Sequence, residues 1–200
     1  MNVKVTDKLD VVVIDDFLDL MSHNLLKQGV KDASVWGVRE TISLDVESCD
    51  PRLCYGFSST IVDDQKPEYY YDIETHHFIK IVKYMNERVK DLFRFKQVFR
   101  CRMDMTTYRG DNQVTCAPHI DYDGKHFTSI YHLSECNAPT IIYNQKLLTG
   151  DVPDDMVLTE KQRIEAKPNR LIIFNGNYVH TGMCPTDAPI RILINTNYKL

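Results

Sequence analysis

Arg170-Leu171-Ile172-Ile173-Phe174-Asn175-Gly176-Asn177-Tyr178-Val179-His180-Thr181-Gly182 is the passage on which the fold reading turns. An apolar, β-branched run meets a tight Asn-Gly-Asn break, and a second β-rich run ends in a histidine and a glycine. This is the pattern of two short strands joined by a turn. The same alternation of β-rich runs and breaks extends outward through the whole second half of the chain. Further strands are predicted over Gln97 to Tyr108, His119 to Tyr122, His126 to Leu133, Thr140 to Tyr143, Met156 to Ile164 and Ile190 to Tyr198. Turn residues mark the joints at Arg109-Gly110-Asp111-Asn112, Asp123-Gly124 and Lys167-Pro168-Asn169. Eight short strands in about a hundred residues predict a closed or double-layered β architecture, a barrel or jelly roll.

The first half reads differently. Val11-Val12-Val13-Ile14 has the composition of a buried strand, and the spacing of Phe17, Leu18, Met21, Leu25 and Leu26 after it predicts a helix. A longer helix is predicted from about Tyr71 to Phe93, with Ile73, His77, Ile81, Met85, Val89 and Leu92 along one face. The expected fold is mainly β (α+β), a double-stranded β-helix (jelly-roll) core with N-terminal helices packed against it. One domain is expected over 1–200, with 1–95 as strand and helix support and 96–200 as the jelly-roll core. Residues 30–68 match no pattern with a ready assignment.

With 43% hydrophobic residues, 200 residues suffice for one sizeable core. A net charge of -4 offers no basic excess for a phosphate backbone, so nucleic acid is not an expected partner. No apolar stretch approaches the roughly 20 residues of a membrane span, and Met1 to Asp10 alternates charged and apolar residues, unlike a signal sequence. A soluble cytoplasmic protein is expected. The six cysteines (Cys49, Cys54, Cys101, Cys116, Cys136, Cys184) form no C-x-x-C pair, which argues against a zinc knuckle or thioredoxin-like motif and for free thiols, a Cys49–Cys54 bridge being the lesser reading.

Chemistry concentrates in a few residues. In a strand, His119 and Asp121 point the same way and Ile120 the other, which makes two adjacent metal ligands. One His-x-Asp carries little weight alone, but His180 follows a strand and a turn, and Arg191 opens the last strand eleven residues later. Arg191, Leu193, Asn195 and Asn197 share a face there, and an arginine pointing into a barrel is costly without an anion. Two histidines and a carboxylate on one side of a metal, the other positions open, form the facial arrangement of non-haem Fe(II) oxygenases. Arg191 then supplies a two-pronged clamp for a dicarboxylate. The order His-x-Asp, distal His, then Arg on the closing strand resembles the Fe(II)/2-oxoglutarate dioxygenase superfamily.

Within that superfamily the sequence is most similar to the prolyl-hydroxylase-like branch. Asn169 to His180 matches the branch's strand, turn and distal-ligand pattern almost position for position. Tyr108, eleven residues before His119, stands where the branch has a tyrosine lining the cosubstrate pocket. Phe127-Thr128-Ser129-Ile130-Tyr131-His132-Leu133 is similar to the strand in which a tyrosine, here Tyr131, joins the arginine on the distal carboxylate. The resemblance covers about Gln97 to Leu200, and Val11 to Phe17 more loosely. One departure stands out: the branch's Gly-Gly before the strand that follows is replaced by Asn137-Ala138-Pro139-Thr140, beside the substrate opening.

The resemblance implies His119, Asp121 and His180 as metal ligands, Arg191, Tyr131 and Tyr108 as cosubstrate contacts, and Fe(II), 2-oxoglutarate and dioxygen as cofactor and cosubstrates. The implied reaction is prolyl 4-hydroxylase-like: hydroxylation of an unactivated C–H bond of a prolyl or other peptidyl residue, or of a small molecule, with release of succinate and CO2. Two rivals keep the same fold: a cupin-like metalloenzyme that does not use 2-oxoglutarate, and a non-catalytic binding module.

Overall fold

In a computed structural model the described residues are 9–32, 36–39, 55–64, 77–111 and 114–200. The Cys49–Cys54 question, most of 30–68 and the first turns of the long helix from Tyr71 lie outside them. Ten strands and two helices follow in the order β1 (Val11–Ile14), α1 (Leu20–Lys31), β2 (Gly37–Arg39), β3 (Gly56–Asp63), α2 (His77–Phe93), β4 (Gln97–Thr107), β5 (Phe127–His132), β6 (Cys136–Lys146), β7 (Glu160–Ala166), β8 (Leu171–Asn175), β9 (Tyr178–Gly182) and β10 (Ile190–Lys199). A seven-stranded sheet runs β1-β8-β5-β10-β4-β3-β2 and faces a three-stranded sheet β7-β6-β9. All pairings are antiparallel, as in a jelly roll.

The helices cover the outer face of the large sheet. Phe78, Ile79, Val82, Met85, Val89 and Phe93 recur on α2 at three or four residues and bury against Cys101, Met103, Ile192, Ile194 and Tyr198. Each large apolar side chain buried this way contributes about 1.5–3 kcal/mol. Gly29 of α1 allows the close helix approach, because a Cβ there would lie 2.6 Å from Phe78 Cβ. A second cluster, including Ile130, Ile142, Ile172, Phe174 and Leu193, fills the space between the sheets.

Several expectations are corrected. On α1, Met21 and Leu25 are 72% and 53% exposed, and His23, Leu26 and Val30 turn inward instead. Asp19 caps this helix by accepting from Ser22 N at 2.9 Å, and Asn169 grips its approach through Leu18 N and O, both at 2.8 Å, which fixes the inward face. Exposed His77 is not on the buried face of α2. Residues 119–122 form no strand; only a single bridge joins His119 to His180. Finally, β1, β2 and β3 are strands of the large sheet, so that sheet crosses the boundary drawn at residue 95.

Around Asn137-Ala138-Pro139 the β6–β7 register jumps from Cys136↔Ala166 to Thr140↔Ile164, an irregularity that accommodates a proline within a strand. Cys101, Cys116, Cys136 and Cys184 are buried free thiols. No helix of the described residues is long and apolar enough to cross a membrane.

Candidate active site

Between the sheets, one ligand atom each from His119, Asp121 and His180 lies within 4.8 Å of the others. The mutual bridge of His119 and His180, with N–H···O distances of 3.0 and 2.9 Å in the two directions, sets the two rings 4.7 Å apart. Each ring must donate from Nδ1, since its partner there is a backbone carbonyl: Ala117 O for His119 at 2.9 Å and Tyr178 O for His180 at 3.0 Å. That fixes the tautomer and leaves both Nε2 lone pairs directed at Asp121, 3.9 Å from Oδ1 for His119 and 3.6 Å from Oδ2 for His180. His180 Nε2 is buried with no hydrogen-bond partner. Burial lowers the His180 pKa to about 4, so the ring is neutral and able to ligate at ordinary pH.

Asp121 is held from several sides. Oδ1 accepts from Asn195 Nδ2 at 2.9 Å, and Oδ2 accepts from Asn197 Nδ2 and Thr128 Oγ1, both at 3.0 Å. Arg100 Nη1 lies 3.6 Å from Oδ1 and donates to the Asp121 carbonyl at 3.1 Å. Burial would push this carboxyl up, but His180, Arg100 and His119 outweigh it and hold the group well below the usual carboxylate range. On the sequence, Asn195 and Asn197 share the Arg191 face, where they are expected either to meet water at the strand end or to contact cosubstrate or substrate; instead they hold Asp121. Their signal is the Asn-x-Asn spacing, which puts both amides on the face of β10 that carries Arg191.

The pocket beside these residues is lined by Arg102, Asp104, Thr106, Thr140, Gly182 and Arg191, among others. Arg191 is 4% exposed, donates from Nη2 to Thr140 Oγ1 at 2.9 Å and pairs with no carboxylate among the described residues. Its Nε has no partner, nor has Thr106 Oγ1, the residue directly opposite across β4 and β10. Gly182 leaves room for the guanidinium, since a Cβ there would lie 2.9 Å from Nη1. In contrast, the nearby Arg102 is matched by Asp104 at 2.6 Å. One buried guanidinium thus has no counter-ion among the described residues, in the pocket that also holds two imidazoles.

The two tyrosines do not enter this pocket. Tyr131 lies on the opposite face of β5, wholly buried against the helices, with its hydroxyl 2.7 Å from His23 Nδ1 and donating to Asn169 Oδ1 at 2.8 Å. The register explains this: Leu193↔His132 and Asn195↔Ile130 put Thr128, Ile130 and His132 on the Arg191 face, one residue out of phase with the expectation. Tyr108 follows the end of β4, is 45% exposed and donates to Asp111 Oδ1 at 2.6 Å, away from Arg191. His126 is buried elsewhere, its ring packed on Gly176 and its Nδ1 donating to Gly124 O at 3.0 Å.

The fold has clear counterparts among solved structures. A prolyl hydroxylase from Trichoplax adhaerens, solved with a hypoxia inducible factor oxygen degradation domain peptide, matches 96% of this chain and 84% of its own, with 15% identity and a TM-score of 0.64. A 2OG-Fe(II) oxygenase family oxidoreductase from Burkholderia pseudomallei covers 94% of this chain and 84% of its own at 11% identity, TM-score 0.61. The non-heme alpha-ketoglutarate-dependent epimerase of nogalamycin biosynthesis covers 96% of this chain and 78% of its own at 12% identity, TM-score 0.56. No protein-family model and no curated protein sequence matches the chain. At these identities the likeness is one of fold.

Proposed function

We propose that this protein is an Fe(II)- and 2-oxoglutarate-dependent dioxygenase that hydroxylates an unactivated C–H bond of a small-molecule or peptidyl substrate, releasing succinate and CO2. The observation that carries the reading is the pairing, in one pocket, of His119 and His180 of the metal cluster with a buried Arg191 that meets no carboxylate among the described residues. The donor set fits the metal: two imidazoles whose Nδ1 atoms are engaged by backbone carbonyls, leaving Nε2 to ligate, and one carboxylate are a facial site for Fe(II). The orphaned Arg191 Nε and Thr106 Oγ1, in the same pocket, fit a carboxylate.

In this reading His119, Asp121 and His180 would hold the iron, and Arg191 would hold the far carboxylate of 2-oxoglutarate. A bound Fe(II) supplies dioxygen activation coupled to oxidative decarboxylation of the 2-oxo acid. The chain's own part is positional. Asn195, Asn197 and Thr128 fix both oxygens of Asp121, and the Ala117 and Tyr178 carbonyls lock the imidazoles. The His119 side chain is 23% exposed against 3% for His180, so substrate would approach from the His119 side. The peptide bound by the Trichoplax enzyme makes a peptidyl, prolyl substrate one reading, and the bulged Asn137-Ala138-Pro139 segment is where this chain departs from that branch.

The test is titration of the iron-loaded protein with 2-oxoglutarate, followed by calorimetry and by the visible charge-transfer band of the Fe(II) complex. Arg191→Ala should weaken binding roughly 30- to 1000-fold, the equivalent of about 2–4 kcal/mol for a charge-assisted two-pronged contact. Arg191→Lys, which keeps the charge and loses the fork, should fall between. Unchanged affinity in Arg191→Ala would transfer the weight to a cupin-like metalloenzyme.

A further inference from the structure

Two thiols meet in the wall of the pocket, beside groups that the metal cluster does not use. A single antiparallel bridge, Thr115↔Met183, joins two extended stretches, with Cys116 N donating to Gly182 O at 2.9 Å and Cys184 N donating to Val114 O at 2.8 Å. Side chains alternate along extended chain, so Cys116, Gly182 and Cys184 share the face opposite to Thr115 and Met183. Gly182 stands across from Cys116 and has no side chain, which leaves Cys184 as the neighbour in reach. The two thiols are hydrogen-bonded to each other. The space over Gly182 holds the Arg191 guanidinium, and Cys116 lines the pocket with it.

The other described thiols are placed differently. Cys101 lies in the helix-covered core and accepts from Thr196 Oγ1 at 3.2 Å and Asn86 Nδ2 at 3.5 Å, and Cys136 packs with Ala138, Ile141 and Ala166. A buried cysteine of that kind behaves as a small apolar side chain. Cys116 and Cys184 instead form a pair. The Cys116 S–H donates to the Cys184 sulfur and, with the Arg109 charge nearby, draws the Cys184 thiol below its usual range against the effect of burial. Thiols near a positive charge and open to a small reagent are the ones that oxidants find. Cys184 is 1% exposed and Cys116 6%, so the approach for such a reagent is the pocket that Cys116 lines.

We propose that Cys116 and Cys184 are an oxidisable pair that hydrogen peroxide, entering through this pocket, converts to a disulfide. One sulfur, as thiolate, attacks a peroxide oxygen and breaks the O–O bond, giving a sulfenic acid and a hydroxide that takes up a proton as water. The second sulfur then displaces the hydroxyl of the sulfenic acid as a second water. Two electrons pass from the sulfurs to the peroxide, and both thiol protons end in water. The sulfurs must close to about 2 Å, and Cys184 lies in the irregular stretch between β9 and β10, where the chain can adjust. Thiols reverse a disulfide, whereas a lone cysteine carried on to the sulfinic acid is lost. One consequence rests on the dioxygenase reading above: a 2-oxo dicarboxylate held by Arg191 would cover Cys116 and shield the pair.

The experiment treats the Mn(II)-loaded protein with hydrogen peroxide, blocks the remaining thiols with N-ethylmaleimide, and locates any bridge by peptide mass mapping without reductant. A Cys116–Cys184 link that dithiothreitol reopens is expected, with Cys101 and Cys136 recovered as free thiols. Cys184→Ser should lose the link and Cys136→Ser should form it as wild type does; the wild-type map decides alone if Cys184→Ser does not fold. 2-Oxoglutarate at about ten times its Kd should slow linking about 10-fold, because the pair is then reached only in the unoccupied fraction. The proposal is overturned if other cysteines are bridged instead, if Cys116 and Cys184 go separately to sulfinic acids, or if neither reacts. An unchanged linking rate while calorimetry shows 2-oxoglutarate bound also overturns it, since the pair would then be reached by another way. If the link forms but 2-oxoglutarate does not bind wild type, the dioxygenase reading falls and the oxidisable pair stands.

Discussion

The two faces of β10 differ in how completely they are satisfied. Outward, Ile192 and Ile194 pack in the helix-covered core, and the polar atoms among them are matched. Thr196 Oγ1 donates to Asn86 Oδ1 at 3.2 Å, and Tyr198 Oη donates to the same oxygen at 3.2 Å while lying 3.1 Å from Ser129 Oγ. Inward, Arg191, Leu193, Asn195 and Asn197 sit one residue away along the same backbone, yet Arg191 Nε and Asn195 Oδ1 have no partner. Native proteins rarely leave buried polar atoms unmatched. The outer face is complete as folded protein, whereas the inner face has the polar complement of something that binds to it.

Substitutions on the two faces should therefore separate into losses of binding and losses of stability. The largest expected effect is on the inner face: His180→Ala should reduce Fe(II) or Mn(II) affinity on the order of 100-fold or more, because one of three protein ligands is gone. Calorimetric metal titration beside a circular-dichroism melt checks this, and a retained affinity would remove His180 from the site. Next comes the outer face, where Ile194→Ala should lower the unfolding free energy by about 3 kcal/mol through lost burial and a residual cavity. Urea denaturation measures it, and the fraction still folded should bind metal as wild type does.

A smaller change is expected from Asn197→Leu, which withdraws one donor from Asp121 Oδ2 but leaves Thr128 in place. Metal affinity should drop about 10-fold, at the lower end for a group that orients a ligand. A stability loss larger than that of Ile194→Ala would instead class Asn197 with the core.

The smallest effect belongs to a pair on neither face. Arg170, hydrogen-bonded to Asp15 through Nε at 2.6 Å, holds the Asp15 pKa down at about 2 against a usual 3.8. A depressed carboxylate contributes stability above its unfolded pKa and loses it as pH falls through the folded value. Asp15→Asn should therefore be less stable than wild type at pH 7 and converge with it between about pH 4 and pH 2. Because the Asp15 side chain is 37% exposed, screening keeps the difference near 0.5 kcal/mol. Thermal melts of both proteins across that range, at low and high salt, test the sign.

The error at Tyr131 shows where sequence reading reaches its limit. A period of two is visible in any strand, but its phase relative to the core is readable only when one face is polar. All six residues of β5 are buried, so Tyr131 and His132 had equal claim to the inner face of the sheet and a one-residue slip exchanged them. At α1 the difficulty was similar in kind, for Met21 and Leu25 are apolar yet exposed, while His23 turns inward to the Tyr131 hydroxyl. The missed β2 and β3 are paired through β4, whose residues lie some forty positions further on, and no local signal carries that information.

By itself, the sequence determined the mainly β second half, its turns at Asp123-Gly124 and Asn175-Gly176-Asn177, and a short set of residues with metal-binding and anion-binding chemistry. Those depend on local propensities and on side-chain types, which do not require knowing what lies opposite. Tertiary structure alone decided that the Asn195 and Asn197 amides hold Asp121, that Arg191 pairs with no carboxylate among the described residues, and that Tyr131 points to the helix-covered face of the large sheet instead of the Arg191 face. Each of these follows from antiparallel register between strands distant in sequence. Register is set by how two whole sheets and two helices bury their apolar faces together, a sum over many contacts that no single stretch of residues contains.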